Sequence, residues 1–419
     1  MVCSDVIYAG TGFSEELRNI LFRLVQTGEY EVYWIGLQHV GFDVDVPDMM
    51  FPDLRQIGAS IRMVSGMGPT ELYGVSGFKR CFDRIAPDLF MMMGDPKHFV
   101  PYVKLKKKMY FPLILYTTLD GLPIPFTWKK TFSGSNVNLA MTEWAMLEFM
   151  KAKIPMGGYI HHGVNWQWFT TNDVEKQRLR RHFGINEETT LFINWDVNQF
   201  RKRLDALLRC WRDFKPESKN AKLFLHTDSS CFLGFNLENL MEQYNIPRET
   251  VLLPEDVYGR RKYFGQGEPI DFHRKMCALG DVYVSTTGGE GFGKTGLEAM
   301  SLGMPVIITD YSACSEVCEK GSILVPTYEG RAGRYRLHDK VKQVEMGIVN
   351  EEKFVEAMLR LYDNPEERKE LGMRAREWSK TFDYDSQIVP AWIDVLNNID
   401  PNVIFASEVL SSKSKERVI

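Results

Sequence analysis

The chain has 419 residues, enough for two or three domains with sizeable hydrophobic cores. Hydrophobic residues make up 44% and charged residues 25%, the balance of an ordinary globular protein rather than a disordered one. A net charge of −4 offers no basic footprint for DNA or RNA, so no nucleic-acid partner is expected.

Seven cysteines (Cys3, Cys81, Cys210, Cys231, Cys277, Cys314 and Cys318) form no disulfide framework and fit a reducing compartment. Cys314 and Cys318 lie one helical turn apart, but no further ligand follows at zinc spacing, and no metal is expected there. The N-terminal Met1-Val2-Cys3-Ser4-Asp5 lacks the basic region of a signal peptide and reads as the approach to a buried strand. No window approaches the ~18 consecutive apolar residues of a membrane span. The expected location is cytoplasmic.

In chain order, Val6-Ile7-Tyr8-Ala9 reads as the first strand, followed by a turn at Gly10-Thr11-Gly12-Phe13-Ser14 with a serine cap. Leu17, Ile20, Leu21, Leu24 and Val25 share one face of a predicted helix from Glu15 to Gln26. Further buried strands are expected at Glu31 to Leu37, Asp88 to Met93 and Leu113 to Tyr116. Apolar runs separated by helices imply a parallel sheet. Lys104 to Lys108 carries four lysines and reads as a solvated helix face, the competing reading being contact with a membrane surface or an acidic acceptor.

Around Pro155 to Phe169 the periodicity stops at His161-His162-Gly163-Val164-Asn165-Trp166, and the two histidines read as packing rather than as catalytic bases. The alternation then restarts. Helices are predicted at Glu175 to Phe183 and Leu204 to Phe214, and strands at Thr190 to Asn194 and Lys222 to His226. Near the end, Ile388, Val389, Trp392, Val395 and Leu396 recur at helical spacing between Ser386 and Ile399, and the polar stretch Ser411 to Arg417 is expected to fray.

The most informative segment is Gly288-Gly289-Glu290-Gly291-Phe292-Gly293-Lys294-Thr295-Gly296-Leu297-Glu298-Ala299. A β-rich run, Val282 to Ser285, leads into it, a helix from Thr295 to Leu302 leads out, and a strand at Pro305 to Asp310 follows. Strand, glycine turn and helix present backbone N–H groups to phosphate at a helix N-terminus. Glu290 falls in the turn and Glu298 on the helix. Gly288 to Thr295 also satisfies the Walker A pattern, so a P-loop NTP-hydrolysing protein is the alternative reading. Against it, Glu290 would place negative charge in a phosphate cradle, and the helix is short. A non-catalytic sugar- or nucleotide-binding module and a purely structural glycine turn are the remaining readings.

Glu290 and Glu298 with the turn between them resemble the paired-glutamate motif of the family 4 retaining glycosyltransferases. Four further blocks occur in that family's order: Tyr116 to Pro125, Ile160 to Asn165, Asn198 to Arg203, and the pair Asp363-Asn364-Pro365 with Phe382-Asp383-Tyr384. The whole chain looks close to virus-encoded members from large algal viruses. The resemblance implies an α/β fold of two Rossmann-like parallel-sheet domains facing a cleft (the GT-B type), with a C-terminal helix crossing back to the first. The expected division is 1–170 for an acceptor domain, 171–385 for a nucleotide-sugar domain, and 386–419 for the returning helix and tail. Gly10 to Glu15 lacks the third glycine of a dinucleotide fingerprint, so a nicotinamide cofactor is not expected.

By resemblance, Glu290 and the N–H groups of Gly291, Phe292 and Gly293 hold the donor sugar, and Glu298 accepts from the ribose hydroxyls. Arg201 and Lys202, with Lys294 and the helix-terminal N–H groups near Thr295, face the diphosphate. Gly12 and Gly163 join the donor-binding positions, and Asp120 stands beside Glu290 as a catalytic candidate. Where many relatives carry another arginine, this chain reads Asp196-Val197. The implied activity is transfer of a hexose, with mannose from GDP-mannose favoured, from a nucleotide-sugar donor to a hydroxyl of a glycan or glycoconjugate acceptor. No metal or other cofactor is expected, and a homodimer and peripheral membrane contact are compatible with the resemblance. Asp43-Val44-Asp45 and Asp383-Tyr384-Asp385 match a metal-binding Asp-x-Asp but do not follow nucleotide-domain strands, so chelation is not assigned.

Overall fold

The computed structural model of the chain describes residues 1–7, 9–37, 39, 43–45, 61–66, 73–263, 268–330, 333–334 and 336–399. Compactness divides it into two units. One comprises Met1–Leu119, Ile124–Gly163 and the described residues from Tyr384 onward; the other comprises Asp120–Pro123 and Val164–Asp383. The breaks therefore fall at 163/164 and 383/384, and the short segment Asp120–Pro123 groups with the second unit rather than with its sequence neighbours.

The first unit is built on β1 (Val2–Ser4), β2 (Val32–Gly36), β3 (Val44–Asp45), β4 (Ile61–Ser65), β5 (Phe90–Gly94), β6 (Leu113–Thr117), β7 (Val137–Ala140) and β8 (Gly158–Tyr159). Their spatial order is β3-β4-β2-β1-β5-β6-β7-β8. All neighbours pair in parallel except the short edge strand β3, which runs antiparallel to β4. Met91, Met92 and Met93 fill β5 as core residues.

The predicted first strand is displaced. The strand is Val2–Ser4, paired with Trp34 to Gly36, whereas Val6 and Ile7 form the buried turn after it. Their carbonyls are satisfied without a strand: Ser14 Oγ donates to both at 2.8 and 2.9 Å, and Arg18 donates to Ile7 O at 3.0 Å. An apolar run can thus be buried as a capped turn, which periodicity does not distinguish from a strand. Tyr8, and the tail from Ser411 to Arg417, lie outside the described residues.

The helix Gly12–Gln26 buries Leu17, Ile20, Leu21, Leu24 and Val25 as its spacing predicts, and Glu16 is buried with them. Glu16 is satisfied by Gly163 N–H at 3.1 Å and Tyr384 O–H at 2.6 Å, with His162 Nδ1 at 3.9 Å. Gly163 has a steric reason to be glycine, since a Cβ there would stand 2.6 Å from the Tyr384 ring. The segment opening at Tyr384 continues into the helix Val389–Asn398, whose Trp392 is fully buried edge-on to Tyr116. Of the four lysines between 104 and 108, Lys106 is not simply solvated. It donates to Phe111 O at 2.9 Å and also bonds Asn136. Among the described residues, no helix is long and apolar enough to cross a membrane.

The second unit carries β9 (Thr190–Asn194), β10 (Ala221–Leu225), β11 (Val251–Leu252), β12 (Val282–Ser285), β13 (Val306–Thr309) and β14 (Ser322–Val325). These six strands lie in the order β11-β10-β9-β12-β13-β14, all parallel. Each unit is thus a Rossmann-like parallel α/β layer, the architecture expected from the alternating pattern. On the helix Leu204–Phe214, Leu204, Leu207, Leu208 and Trp211 point into a core shared with Phe192, Leu223 and Val284.

The order reverses between β9 and β12, so the loops after these two strands leave in opposite directions. That is the switch point at which a parallel sheet opens a crevice beyond its strand ends. After β14 come two antiparallel hairpins the sequence reading did not anticipate: β15 (Glu329–Gly330) with β16 (Gly333–Arg334), and β17 (Arg336–Asp339) with β18 (Val344–Gly347).

Candidate active site

The paired-glutamate segment is the loop after β12. Gly293 ends it with φ +92°, a left-handed conformation costly for any residue with a Cβ, and the helix Lys294–Ser301 starts immediately after. At Gly289 the constraint is space, because a Cβ would lie 2.0 Å from Asp120 O. Gly288 N–H donates to Arg201 O at 2.7 Å, and Gly347 N–H donates to Gly288 O at 2.7 Å. The turn is thus stitched on one side to the loop after β9 and on the other to strand β18.

Glu290 is buried, and each carboxylate oxygen has a cationic partner. Arg201 NH1 lies 2.9 Å from Oε2, and Lys202 Nζ lies 2.7 Å from Oε1, which also accepts from Thr287 Oγ1 at 2.7 Å. Its backbone N–H donates to Ser312 Oγ at 2.8 Å. Burial alone would raise this carboxyl, but Arg201 and Lys202 outweigh it and hold the group below the usual glutamate range. Glu290 is therefore a carboxylate at neutral pH.

Lys202 is also buried and bonds Asp196 Oδ1 at 2.7 Å. Asp196 is fully buried and accepts from Ser285 Oγ at 2.6 Å, Thr295 Oγ1 at 2.9 Å and Asn194 Nδ2 at 3.1 Å. Its carboxyl would be raised by burial, yet Lys202 and these donors bring it down to about 2. Thr295, expected near the diphosphate, thus spends its hydroxyl proton on Asp196 and accepts from Tyr283 O–H at 2.9 Å.

Asp120 belongs to the same cluster. Arg201 NH1 stands 3.7 Å from Oδ1, and Lys342, from the turn between β17 and β18, reaches Oδ2 at 3.3 Å. Three carboxylates (Asp120, Asp196, Glu290) therefore face three cations (Arg201, Lys202, Lys342). The expected basic pair is not bare positive charge: both members are already engaged, and burial of the lysine is tolerable only because it is paired twice. The hairpin is fixed over Asp120 and its neighbours by backbone bonds. Glu345 N–H donates to Leu122 O at 3.0 Å, while Tyr311 O–H donates to Glu345 O at 2.8 Å and accepts from Leu122 N–H at 3.1 Å.

One turn further along the helix, Glu298 is buried with Oε2 accepting from Trp195 Nε1 at 2.9 Å. Phe292 is buried and meets Phe382 edge-on at 6.0 Å between ring centroids. Gly291 and Gly293 complete the turn, and Lys294 is half-buried at the helix start.

The fold of the second unit thus gathers Glu290, Asp120, Arg201, Lys202, Gly291, Phe292, Gly293, Lys294, Thr295 and Glu298 onto the loops at the switch point. Gly12 and Gly163 belong to the first unit, where Gly12 opens a helix and Gly163 makes room for Tyr384. The reading of the sequence missed Asp196, Trp195, Thr287, Ser312 and Lys342. Asp196 had a signal, because it replaces an expected arginine directly after an apolar strand. Of the Asp-x-Asp carboxylates, Asp43 pairs with Arg84 at 3.0 Å and Asp385 with Arg23 at 2.6 Å.

Residues 175–378 match the model of the family described as glycosyl transferases group 1. No curated protein matches the chain in sequence. Among solved structures, HepE from Anabaena in complex with UDP and glucose superposes with a TM-score of 0.66 at 14% identity, covering 94% of this chain and 98% of its own. A sucrose-phosphate synthase from Thermosynechococcus elongatus gives 0.71 at 14% identity, over 94% and 97%. WaaG, a glycosyltransferase involved in lipopolysaccharide biosynthesis, gives 0.66 at 13%, over 95% and 99%. At such identities the likeness is one of fold.

Proposed function

We propose, from the match of residues 175–378 to the model of the glycosyl transferases group 1 family, that the protein is a retaining glycosyltransferase moving a hexose from a nucleoside-diphosphate sugar to a hydroxyl of a glycan or glycoconjugate. The observation that carries this is the placement of Glu290 and Glu298 on one turn and helix, with Arg201 bonded to the first. In this reading Glu298 accepts the two ribose hydroxyls. Glu290 and the turn's N–H groups hold the sugar, and Asp120 lies toward the acceptor.

As the glycosidic bond breaks, negative charge grows on the leaving diphosphate, and stabilisation must be aimed there. Arg201 is the cation best suited to it. It is shared between Glu290 and the more distant Asp120, so it can turn toward phosphate while Glu290 keeps Lys202. N–H groups at the start of the helix Lys294–Ser301 add their partial positive charge. The leaving phosphate oxygen then takes the proton of the incoming hydroxyl on the same face, which retains configuration without metal. The first unit is assigned to the acceptor and the second to the donor.

Mannose from GDP-mannose is the favoured donor, on the family resemblance. A UDP-sugar is the second reading, favoured by the UDP and glucose in the HepE complex. A kinship with virus-encoded members of the family is part of this proposal and rests on the resemblance of the whole chain. Calorimetric titration with GDP-, UDP- and ADP-sugars without metal, followed by turnover of whichever binds, tests the proposal. Saturable binding and transfer of one donor are expected; magnesium-dependent ATP hydrolysis with no donor turnover would overturn it.

A further inference from the structure

A second cluster of chemistry-bearing residues lies in the second unit. His226 follows the last residue of β10, and His273 and Cys277 lie on the helix Ile270–Cys277. One donor atom from each lies within 4.8 Å of the others, and this is the metal-compatible group among the described residues. Four residues apart on a helix, His273 and Cys277 project from one face. Cys277 Sγ stands 3.6 Å from His273 Nε2. Tetrahedral zinc with Zn–S of about 2.3 Å and Zn–N of about 2.0–2.1 Å requires a sulfur-to-nitrogen separation of about 3.6 Å. The pair is already at ligand spacing.

The third residue supplies an independent indication. His226 is completely buried, with Nε2 3.1 Å from Glu268 Oε2 and 3.4 Å from Lys262 Nζ. Its Nδ1 is buried and has no hydrogen-bond partner among the described residues. Two tautomers are conceivable. A proton on Nδ1 would leave a buried N–H with no acceptor, whereas a proton on Nε2, favoured electrostatically by the Glu268 carboxylate 3.1 Å away, leaves Nδ1 a bare lone pair. The second is the form a metal ligand takes, with an imidazole oriented by a carboxylate on its far nitrogen.

We propose that His226, His273 and Cys277 form a binding site for a borderline-soft divalent cation of the zinc class, with water in the fourth position. The set of two imidazoles and one thiolate selects zinc, or cobalt as its spectroscopic substitute, over magnesium or calcium, which require oxygen ligands. Binding exchanges the thiol proton for the cation, so one proton is released to solvent per ion bound. The three ligands are distinct from Glu290, Arg201 and Lys202.

The test is titration of the chelator-treated full chain with Co²⁺, followed by optical absorption, and with Zn²⁺, followed by calorimetry. One equivalent should bind, with the sulfur-to-cobalt charge-transfer band and the visible bands of a tetrahedral ion. Cys277→Ser should abolish the charge-transfer band. Glu268→Gln, which removes the outer partner, should lower affinity by about 10–100-fold, and His273→Ala by more than that. His273 is partly exposed, so its variant guards against a Cys277→Ser chain that fails to fold. Absence of saturable binding, or a charge-transfer band of unchanged strength in both the Cys277 and His273 variants, would overturn the proposal.

Discussion

Lys202 and Glu290 lie 2.7 Å apart, both buried, in loops that follow different strands of one sheet. The contact joins the loop after β9 to the loop after β12 at the switch point. It also explains how a carboxylate can stand in a turn that otherwise looks made for phosphate. The negative charge of Glu290 is cancelled from within the protein, so the turn does not repel an anionic ligand as the isolated motif would suggest.

Replacing Glu290 by glutamine keeps its shape and removes its charge. If Glu290 acts on the sugar, turnover should fall on the order of 10²-fold or more while affinity for the free nucleotide diphosphate changes little. Steady-state rates and calorimetry on one preparation separate the two quantities. Lys294→Ala in the same assay should be the milder change; an inactive Lys294→Ala beside a fully active Glu290→Gln would restore the P-loop reading.

Glu298→Ala should weaken the nucleotide sugar and the free nucleotide diphosphate alike, by roughly 1.5–3 kcal/mol, the scale of hydrogen bonds to a charged group. Trp195→Phe removes the N–H that steadies Glu298 together with part of a buried ring, leaves the carboxylate in place, and should cost a fraction of that. Equal nucleotide affinity in wild type and Glu298→Ala would show that the ribose lies elsewhere.

Donor binding should persist in EDTA, because the proposed neutralisation of the diphosphate uses Arg201 and helix N–H groups. Isotherms recorded with chelator and with added magnesium should agree within about twofold, a free-energy difference of ~0.4 kcal/mol. A strict magnesium requirement would count against it. Removal of zinc should instead register in the melting temperature, since a cation that binds the folded chain stabilises it.

Acid should unfold the second unit through Asp196. Its folded carboxyl lies at about 2 against an ordinary 3.8, because Lys202 and its hydroxyl donors outweigh burial. A depressed carboxyl stabilises the fold above its unfolded value, and that contribution is lost as pH falls through the folded one. Asp281, held at about 2 by Lys176 and Arg180 against its own burial, adds in the same direction. Melting temperature should therefore drop steeply between about pH 4 and pH 2. Asp196→Asn should melt lower at neutral pH and lose less on acidification; an unchanged acid slope would remove Asp196 from the account.

Lys342→Ala releases Asp120 from one of its two cations. Turnover should fall by about tenfold, the scale of one charge-assisted contact partly screened by solvent, with nucleotide affinity preserved. An equal loss in nucleotide affinity would place Lys342 on the donor instead.

Local sequence determined the elements whose periodicity and flanking turns agree. The helix Leu204–Phe214 and the strands Thr190–Asn194 and Val282–Ser285 fall at the residues their apolar spacing predicts. The Gly288–Ala299 segment was legible too, because glycines between a strand and a helix restrict the turn to few conformations. The first strand was not legible: Val6 and Ile7 are apolar and buried, yet their carbonyls go to Ser14 and Arg18 instead of a neighbouring strand. Nor was the charge partnering. Which carboxylate meets Lys202 depends on β9 and β12 lying side by side, a consequence of sheet order that spacing along the chain does not encode. The same holds for Lys342, brought to Asp120 across more than two hundred residues by a hairpin with little side-chain periodicity. Hydrophobic period and backbone restriction act between near neighbours and can be read from order along the chain. Compensation of buried charge acts between groups only the folded sheet brings together, and tertiary structure alone decided it.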